Sequence, residues 1–377
     1  MNKGNMEKQI LLNCRRGMTL IELIIVIAIL ASIAFLAMSA VDSGSSHNQI
    51  RYEDTRIRMK AIREAIIGPT GKAIYEHGVL SGFVVDNGRL PGNVTMLVDN
   101  PASAYDSYKL VSPIFDPSPT SGFNDGSGET SLQNAVQRLL KGHRGYYLTG
   151  SRDGRYRDGW GNRGLSTPSP FNCPSKSTHD TYPPSSGNDK ESDNHGWCVS
   201  LNATATTGIY PGGRKDFYLD SYGLDGVRGN TTDAPYTVDM ILPEPVLADD
   251  WSMDISGRTV TVNDPDGTVF GNATLATLKA SLLVFVNDSN PLSTNGNWLQ
   301  IPTKANATVI PANGTIPLRF PALSHRVPVG EHLLVLTGNS TATPHHVLPN
   351  ATSSKAYTTR VRFFPRSNPP AMEINIP

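Results

Sequence analysis

Apolar residues run almost unbroken from Met18 to Ala40, interrupted only by Thr19, Glu22, Ser32 and Ser39. A helix of about 20 residues crosses a bilayer, so the run predicts a membrane span. Arg15 and Arg16 precede it and predict a cytoplasmic N-terminus. A secretory signal has a shorter apolar stretch followed by a small-residue cleavage site, and no clear A-x-A site precedes a polar start here. From Ser46 to Ile67 the pattern becomes helical. Ile50, Ile57, Ala61, Ile62, Ala65 and Ile66 form a stripe among charged residues, and Gly68-Pro69 ends it. This stripe predicts packing against the protein's own sheet.

Beyond Pro69 the pattern shortens. Asp158-Gly-Trp-Gly-Asn162 reads as a tight turn, with Trp160 as a buried aromatic anchor. After Glu244-Pro245 come short strand-like runs: "RTVTVN", "KASLLVFVND", "ATVIPANGTIPLRF", "VPVGEHLLVLTG" and "AYTTRVRFFP". Their spacing predicts a small antiparallel β-sandwich over residues 246–377, of the immunoglobulin-like kind.

Length and charge bound the function. The 377 residues suffice for two or three domains. Lysine plus arginine equals aspartate plus glutamate, so no basic face for nucleic acid is expected. Of the three cysteines, Cys14 precedes the apolar run. Cys173 and Cys198 form an even set that a disulfide would close in an oxidising compartment, worth roughly 3 kcal/mol of loop-closure entropy. Two unpaired thiols are the alternative. No compact zinc pattern appears, and His325, His332, His345 and His346 fall outside any hydrolase or metalloprotease motif, so no enzyme is expected. Several Asn-x-Ser/Thr triplets, at Asn272, Asn306, Asn313, Asn339 and Asn350, read as surface strand and turn composition and do not establish glycosylation.

Glu22 is the discordant residue, since a carboxylate at the centre of a membrane helix costs roughly 2.5–3.5 kcal/mol. The stretch around it, "RRGMTLIEL", resembles the leader-peptide site of type IV pilins and type II secretion pseudopilins. The resemblance implies cleavage after Gly17 by prepilin peptidase and methylation of the new N-terminal residue, Met18, where the family usually has Phe. Glu22, fifth in the mature chain, would then meet the Met18 amine of a neighbouring subunit during assembly. A partner removed from such a pair leaves an unpaired charge in an apolar bundle.

Further pieces resemble the same family in order: "GFVVDNGRLP", "GHRGYYL", "RDGWGNRG" and "FYLDSYGLDGVRGNTTDAPYTVDM". The last resembles a calcium-binding loop and would offer Asp225, Asp233 and Asp239. Its spacing, with Pro235, departs from the family pattern, and a metal-free Asp/Gly turn is the other reading. The implied fold is α+β. A leader at 1–17 precedes a long helix at 18–67, whose first half lies in the membrane or filament core and whose second half packs on an antiparallel pilin-type head at 68–245, with the β-sandwich at 246–377 last. The implied partners are prepilin peptidase, other pilin subunits, the platform machinery of a pilus or type II secretion system, and inner-membrane lipid. The implied location is the bacterial inner membrane, with a periplasmic head, and an extracellular filament after assembly. A minor pilin that binds a surface or an exported substrate through the sandwich is the alternative, and a membrane-anchored enzyme with a borrowed leader is a third.

Overall fold

The computed structural model describes residues 19–69, 80–98, 139, 141–142, 147–150, 153–163, 194–204, 214–224, 226, 236–265, 278–286, 297–304, 314–322, 326–338, 346–347 and 357–376. One helix, α1 (Leu20–Ile67), covers both apolar patterns in 48 continuous residues. It stops at Gly68, whose φ of +80° suits glycine and whose N–H donates to Glu64 O at 2.7 Å. A Cβ there would lie 2.3 Å from Ser81 O, so the chain also needs glycine to pass.

The second half of α1 packs on the head. Thr55, Met59, Ile62 and Ile66 are fully buried at helical spacing, beside Ala65. Here the expected stripe is corrected, because Ile50 and Ile57 are each 65% exposed. Ile57 and Ile62 lie about 140° apart around the helix at 100° per residue, so the head side of α1 takes Met59 instead. Against this face lie α2 (Phe83–Asn87), a 3-10 turn (Val94–Leu97) and a sheet of three antiparallel strands: β1 (Cys198–Thr204), β2 (Arg214–Ser221) and β3 (Met240–Ile241). Cys198 pairs with Asp220 at one end of the β1–β2 ladder. Phe83, Trp197, Phe217 and Leu219 share one core with Met59, Ile62 and Ile66.

The C-terminal strands follow a short helix, α3 (Ala248–Trp251). They are β4 (Ser252–Asp254), β5 (Thr259–Asn263), β6 (Lys279–Val286), β7 (Asn297–Pro302), β8 (Thr315–Arg319), β9 (Arg326–Pro328), β10 (Gly330–Gly338), β11 (His346–Val347), β12 (Thr358–Phe363) and β13 (Met372–Asn375). One sheet runs β7-β6-β10, with β11 and β12 both pairing with β10; another runs β13-β5-β8; β4 and β9 pair separately. Val260 and Ile316 from one sheet and Leu282, Leu334 and Phe363 from the other belong to a single hydrophobic core. The wholly antiparallel expectation is corrected at one place: β13 runs parallel to β5, with Met372 opposite Val260. The chain leaves β12 in one sheet and returns through Phe364–Ala371 to the edge of the other, and that crossover sets the parallel direction.

Head and C-terminal strands are joined by buried groups on both sides of residue 245. Trp251 and Val329 belong to the head core. Asp250, 1% exposed, receives Leu247 N–H at 2.9 Å, faces Arg63 of α1 at 3.8 Å and pairs with Arg366 beyond β12. Lys141 donates to Val85 O at 2.7 Å beside Gly330 at the start of β10.

Candidate functional site

The site begins with the chain's most polar break in an apolar run. Thr19 is the N-cap of α1, in extended backbone, and Glu22 stands three residues on. Glu22 N–H donates to Thr19 Oγ1 at 3.3 Å, while Thr19 N–H and Oγ1–H donate to Glu22 Oε2 at 2.9 and 3.0 Å. This is a reciprocal capping box, in which two helix-end donors find acceptors within the same turn. The carboxylate also sits at the positive end of the helix dipole. Thr-Leu-Ile-Glu is the sequence signature of such a box, a signal that the sequence reading passed over in favour of intermolecular pairing. Gly17 and Met18, the expected processing residues, lie outside the described residues.

From Leu20 to Met38, 19 residues are long and apolar enough to cross a membrane, and none is buried within the chain. Among soluble contacts this surface has no counterpart in the head, where Ile62, Ile66 and Phe83 are shielded almost completely. The same helix therefore leaves its first half to an apolar environment outside the chain and anchors its second half in the chain's own core.

The Asp158–Asn162 turn braces the second half of α1 against the head. Asp158 Oδ1 accepts from Asn162 N–H at 2.9 Å, and Oδ2 accepts from Asn162 Nδ2 and Ser221 Oγ, each at 2.6 Å. Asn162 Nδ2 also donates to Gly223 O at 2.9 Å. On the other side, Gly159 N–H donates to Thr55 Oγ1 at 2.9 Å. A Cβ at Gly159 would lie 2.2 Å from Arg51 O, so the turn presses backbone against α1. Gly161, at φ +78°, supplies the reversal. Trp160, expected as a buried anchor, is only half-buried and meets Tyr52 edge-on at 6.4 Å. Asp158 is the deeply buried member of the turn.

Of the expected calcium ligands, Asp239 is half-buried just before β3, and Asp225 and Asp233 lie outside the described residues. Among the described residues no three His, Cys, Asp or Glu side chains gather as a metal site. Cys198 is buried at the start of β1 and disulfide-bonded, while Cys173 lies outside the described residues. His332 is buried in β10; its Nε2 lies 2.7 Å from Pro328 O. Burial, and secondarily the Lys141 charge, push its pKa down to about 3, so it is a neutral core histidine. His325 and His345 lie outside the described residues.

The chain matches the family described as the prokaryotic N-terminal methylation motif over residues 12–38, which spans the expected cleavage site, the capping box and the apolar half of α1. Comparison with curated proteins and with solved structures returns no match. The motif implies processing by prepilin peptidase and assembly with other pilin subunits, and it points to a structural, non-enzymatic kind of protein. The prepilin-type motif at the head of an apolar helix left bare by its own chain supports a type IV pilin-like protein and is consistent with a membrane anchor.

Proposed function

We propose that the chain is a structural subunit of a type IV pilus or type II secretion pseudopilus. Prepilin peptidase cuts after Gly17, Met18 is methylated, and the subunit waits in the bacterial inner membrane with its head in the periplasm. Polymerisation then moves Leu20–Met38 from lipid into the packed helices of a filament. The observation that carries this reading is the 48-residue helix, wholly exposed over its apolar half and locked to a folded head over the other. Such a helix exchanges one apolar solvent for another without altering the head.

Glu22 fits both states. In the isolated chain Thr19 satisfies it, and in the filament the Met18 amine of a neighbour competes for the same carboxylate. On this reading Cys173 is the partner of Cys198, because Cys14 is removed with the leader. Asp225, Asp233 and Asp239 are the residues that would hold calcium on this reading, with a metal-free Asp/Gly turn as the alternative. The platform machinery of the secretion or pilus system extracts the subunit. A second reading, a minor pilin that binds a surface or substrate, draws on the C-terminal strands, whose core is separate from the head's.

The test is Gly17→Ala. The intact mass of the purified wild-type protein should correspond to a chain beginning at a methylated Met18, and the variant should keep residues 1–17 and make no filaments. A wild-type protein that begins at Met1, or is cut well beyond Ala40, would overturn the reading.

A further inference from the structure

Between the head core and the C-terminal core lies α3, Ala248–Trp251, only four residues long. A helix this short has no stability of its own, so it stands only because its neighbours hold it. Its residues are tied to different parts of the chain. Ala248 N–H donates to Asp216 Oδ1 of β2 at 2.7 Å. Asp249 pairs with Arg326 of β9, and its carbonyl accepts Arg366 N–H at 3.4 Å. Trp251 is buried in the head core, while its carbonyl accepts Val329 N–H, between β9 and β10, at 2.8 Å.

These ties converge on Asp250. Its buried carboxylate meets donors from three segments. Leu247 N–H donates to Oδ2 at 2.9 Å, Arg63 of α1 lies 3.8 Å from the same oxygen, and Arg366 Nε donates to Oδ1. Arg63 is buried too, and its Nε–H donates to Glu244 O at 3.1 Å. Its second carboxylate neighbour, Glu244 at 3.5 Å, is exposed. Arg366 stands on the crossover from β12 to β13 and holds a left-handed backbone at φ +51°. A long side chain is rarely found there, and such a conformation persists only where its surroundings fix it.

We propose that Asp250 is a joint that makes the C-terminal strands part of the body carried by α1. One buried carboxylate is shared between a guanidinium from α1 and a guanidinium from the crossover. Loss of Arg366 strips a counter-charge from Asp250 and so loosens its contact with Arg63 and with the helix around Arg63. A pull or a partner acting on the C-terminal strands therefore reaches α1 through Asp250 and not through the Glu244–Pro245 connection alone. The joint belongs to the single chain and holds whether or not the chain polymerises.

The experiment is hydrogen exchange by mass spectrometry on the full, detergent-solubilised chain, read on peptides from Met59–Ile67 and from residues 357–376. Arg366→Asn removes the charge and places there a residue that tolerates the left-handed backbone. It should speed exchange about tenfold in both regions, the loss expected of one hydrogen bond to a charged group. Arg362→Asn is the same change at an exposed pair on β12, with Glu331 at 3.2 Å, and should leave Met59–Ile67 at the wild-type rate. In an Asp250→Asn background, Arg366→Asn should add less than about twofold, because the two residues act as one unit. Acceleration confined to 357–376 overturns the joint. So does an equal effect of Arg362→Asn on Met59–Ile67, or an Arg366→Asn effect undiminished in the Asp250→Asn background. Should Asp250→Asn fail to fold, the contrast between the Arg366 and Arg362 variants decides alone.

Discussion

The two halves of α1 obey the same local rules and opposite global ones. Leu30 and Ile62 are both aliphatic residues in the middle of helical turns, yet Leu30 is 60% exposed and Ile62 is not exposed at all. In the second half, burial against Phe83, Trp197 and Phe217 supplies the energy. In the first half none of Leu20–Met38 is buried within the chain, so those side chains add nothing to the stability of the head through burial. Apolar surface on one helix is therefore no measure of how much that helix stabilises its own head.

The sharpest way to break the contrast is one substitution made twice. Ile62→Ala should destabilise the head by about 2–5 kcal/mol, because the deleted carbons leave a cavity among Met59, Ile66 and Phe217. Leu30→Ala should leave head stability unchanged in a detergent-solubilised protein. Denaturant unfolding followed by tryptophan fluorescence distinguishes them, since Trp197 and Trp251 lie in the same core as Ile62. Equal losses at both sites would mean that the halves are not energetically separate.

How far the chain could be read in advance follows the same division. The membrane-length run, the helix end at Gly68 and the runs that became β5, β6, β8, β10 and β12 were legible because each rests on local periodicity. The phase of the second half of α1 was not. Which side of a helix is buried depends on partners far away in sequence, and Met59 and Thr55 were passed over for Ile50 and Ile57. Nor was the role of Asp158 legible, since its partner Ser221 lies 63 residues on. β13 looks like an undistinguished tail, and only its parallel register with β5 gives it a place in the C-terminal hydrophobic core. The capping box is the opposite case: Thr19 and Glu22 announce it within four residues, and a more dramatic role for Glu22 obscured it.

A second test sharpens the comparison by asking which part of the folded region yields first to acid. His332 has its pKa lowered from 6.5 to about 3 by complete burial and by Lys141. The unfolded chain therefore binds a proton on this residue at a pH where the folded chain does not. Its contribution is fully present above pH 6.5 and is lost as pH falls toward 3, roughly 2 kcal/mol by pH 5. His332→Gln keeps a donor for Pro328 O and removes the titration. The wild type should lose more stability than this variant between pH 7 and pH 5, and parallel curves would rule the mechanism out. Lys141 spans the contact between Val85 and the start of β10, so this loss falls on the folded side of the comparison and leaves Leu20–Met38 untouched.

The smallest expected effect lies at the other end of the helix. Thr19→Ala removes the hydroxyl that accepts Glu22 N–H and donates back to Glu22 Oε2, while the backbone N–H of residue 19 can still reach the carboxylate. The loss of a threonine cap is worth about 1 kcal/mol in the first turn. Head unfolding should not register it, because the first described head contact on α1 lies some 30 residues away. Assembly should, by a factor of about five, because a frayed first turn no longer presents Glu22 at a defined height to its neighbour. Thr19→Ser restores the hydroxyl without the methyl group and should return filament yield to the wild-type level at equal amounts of processed protein. If alanine and serine at residue 19 assemble equally well, the box is a local convenience of the isolated helix, and the placing of Glu22 in the filament belongs to the neighbouring chain alone.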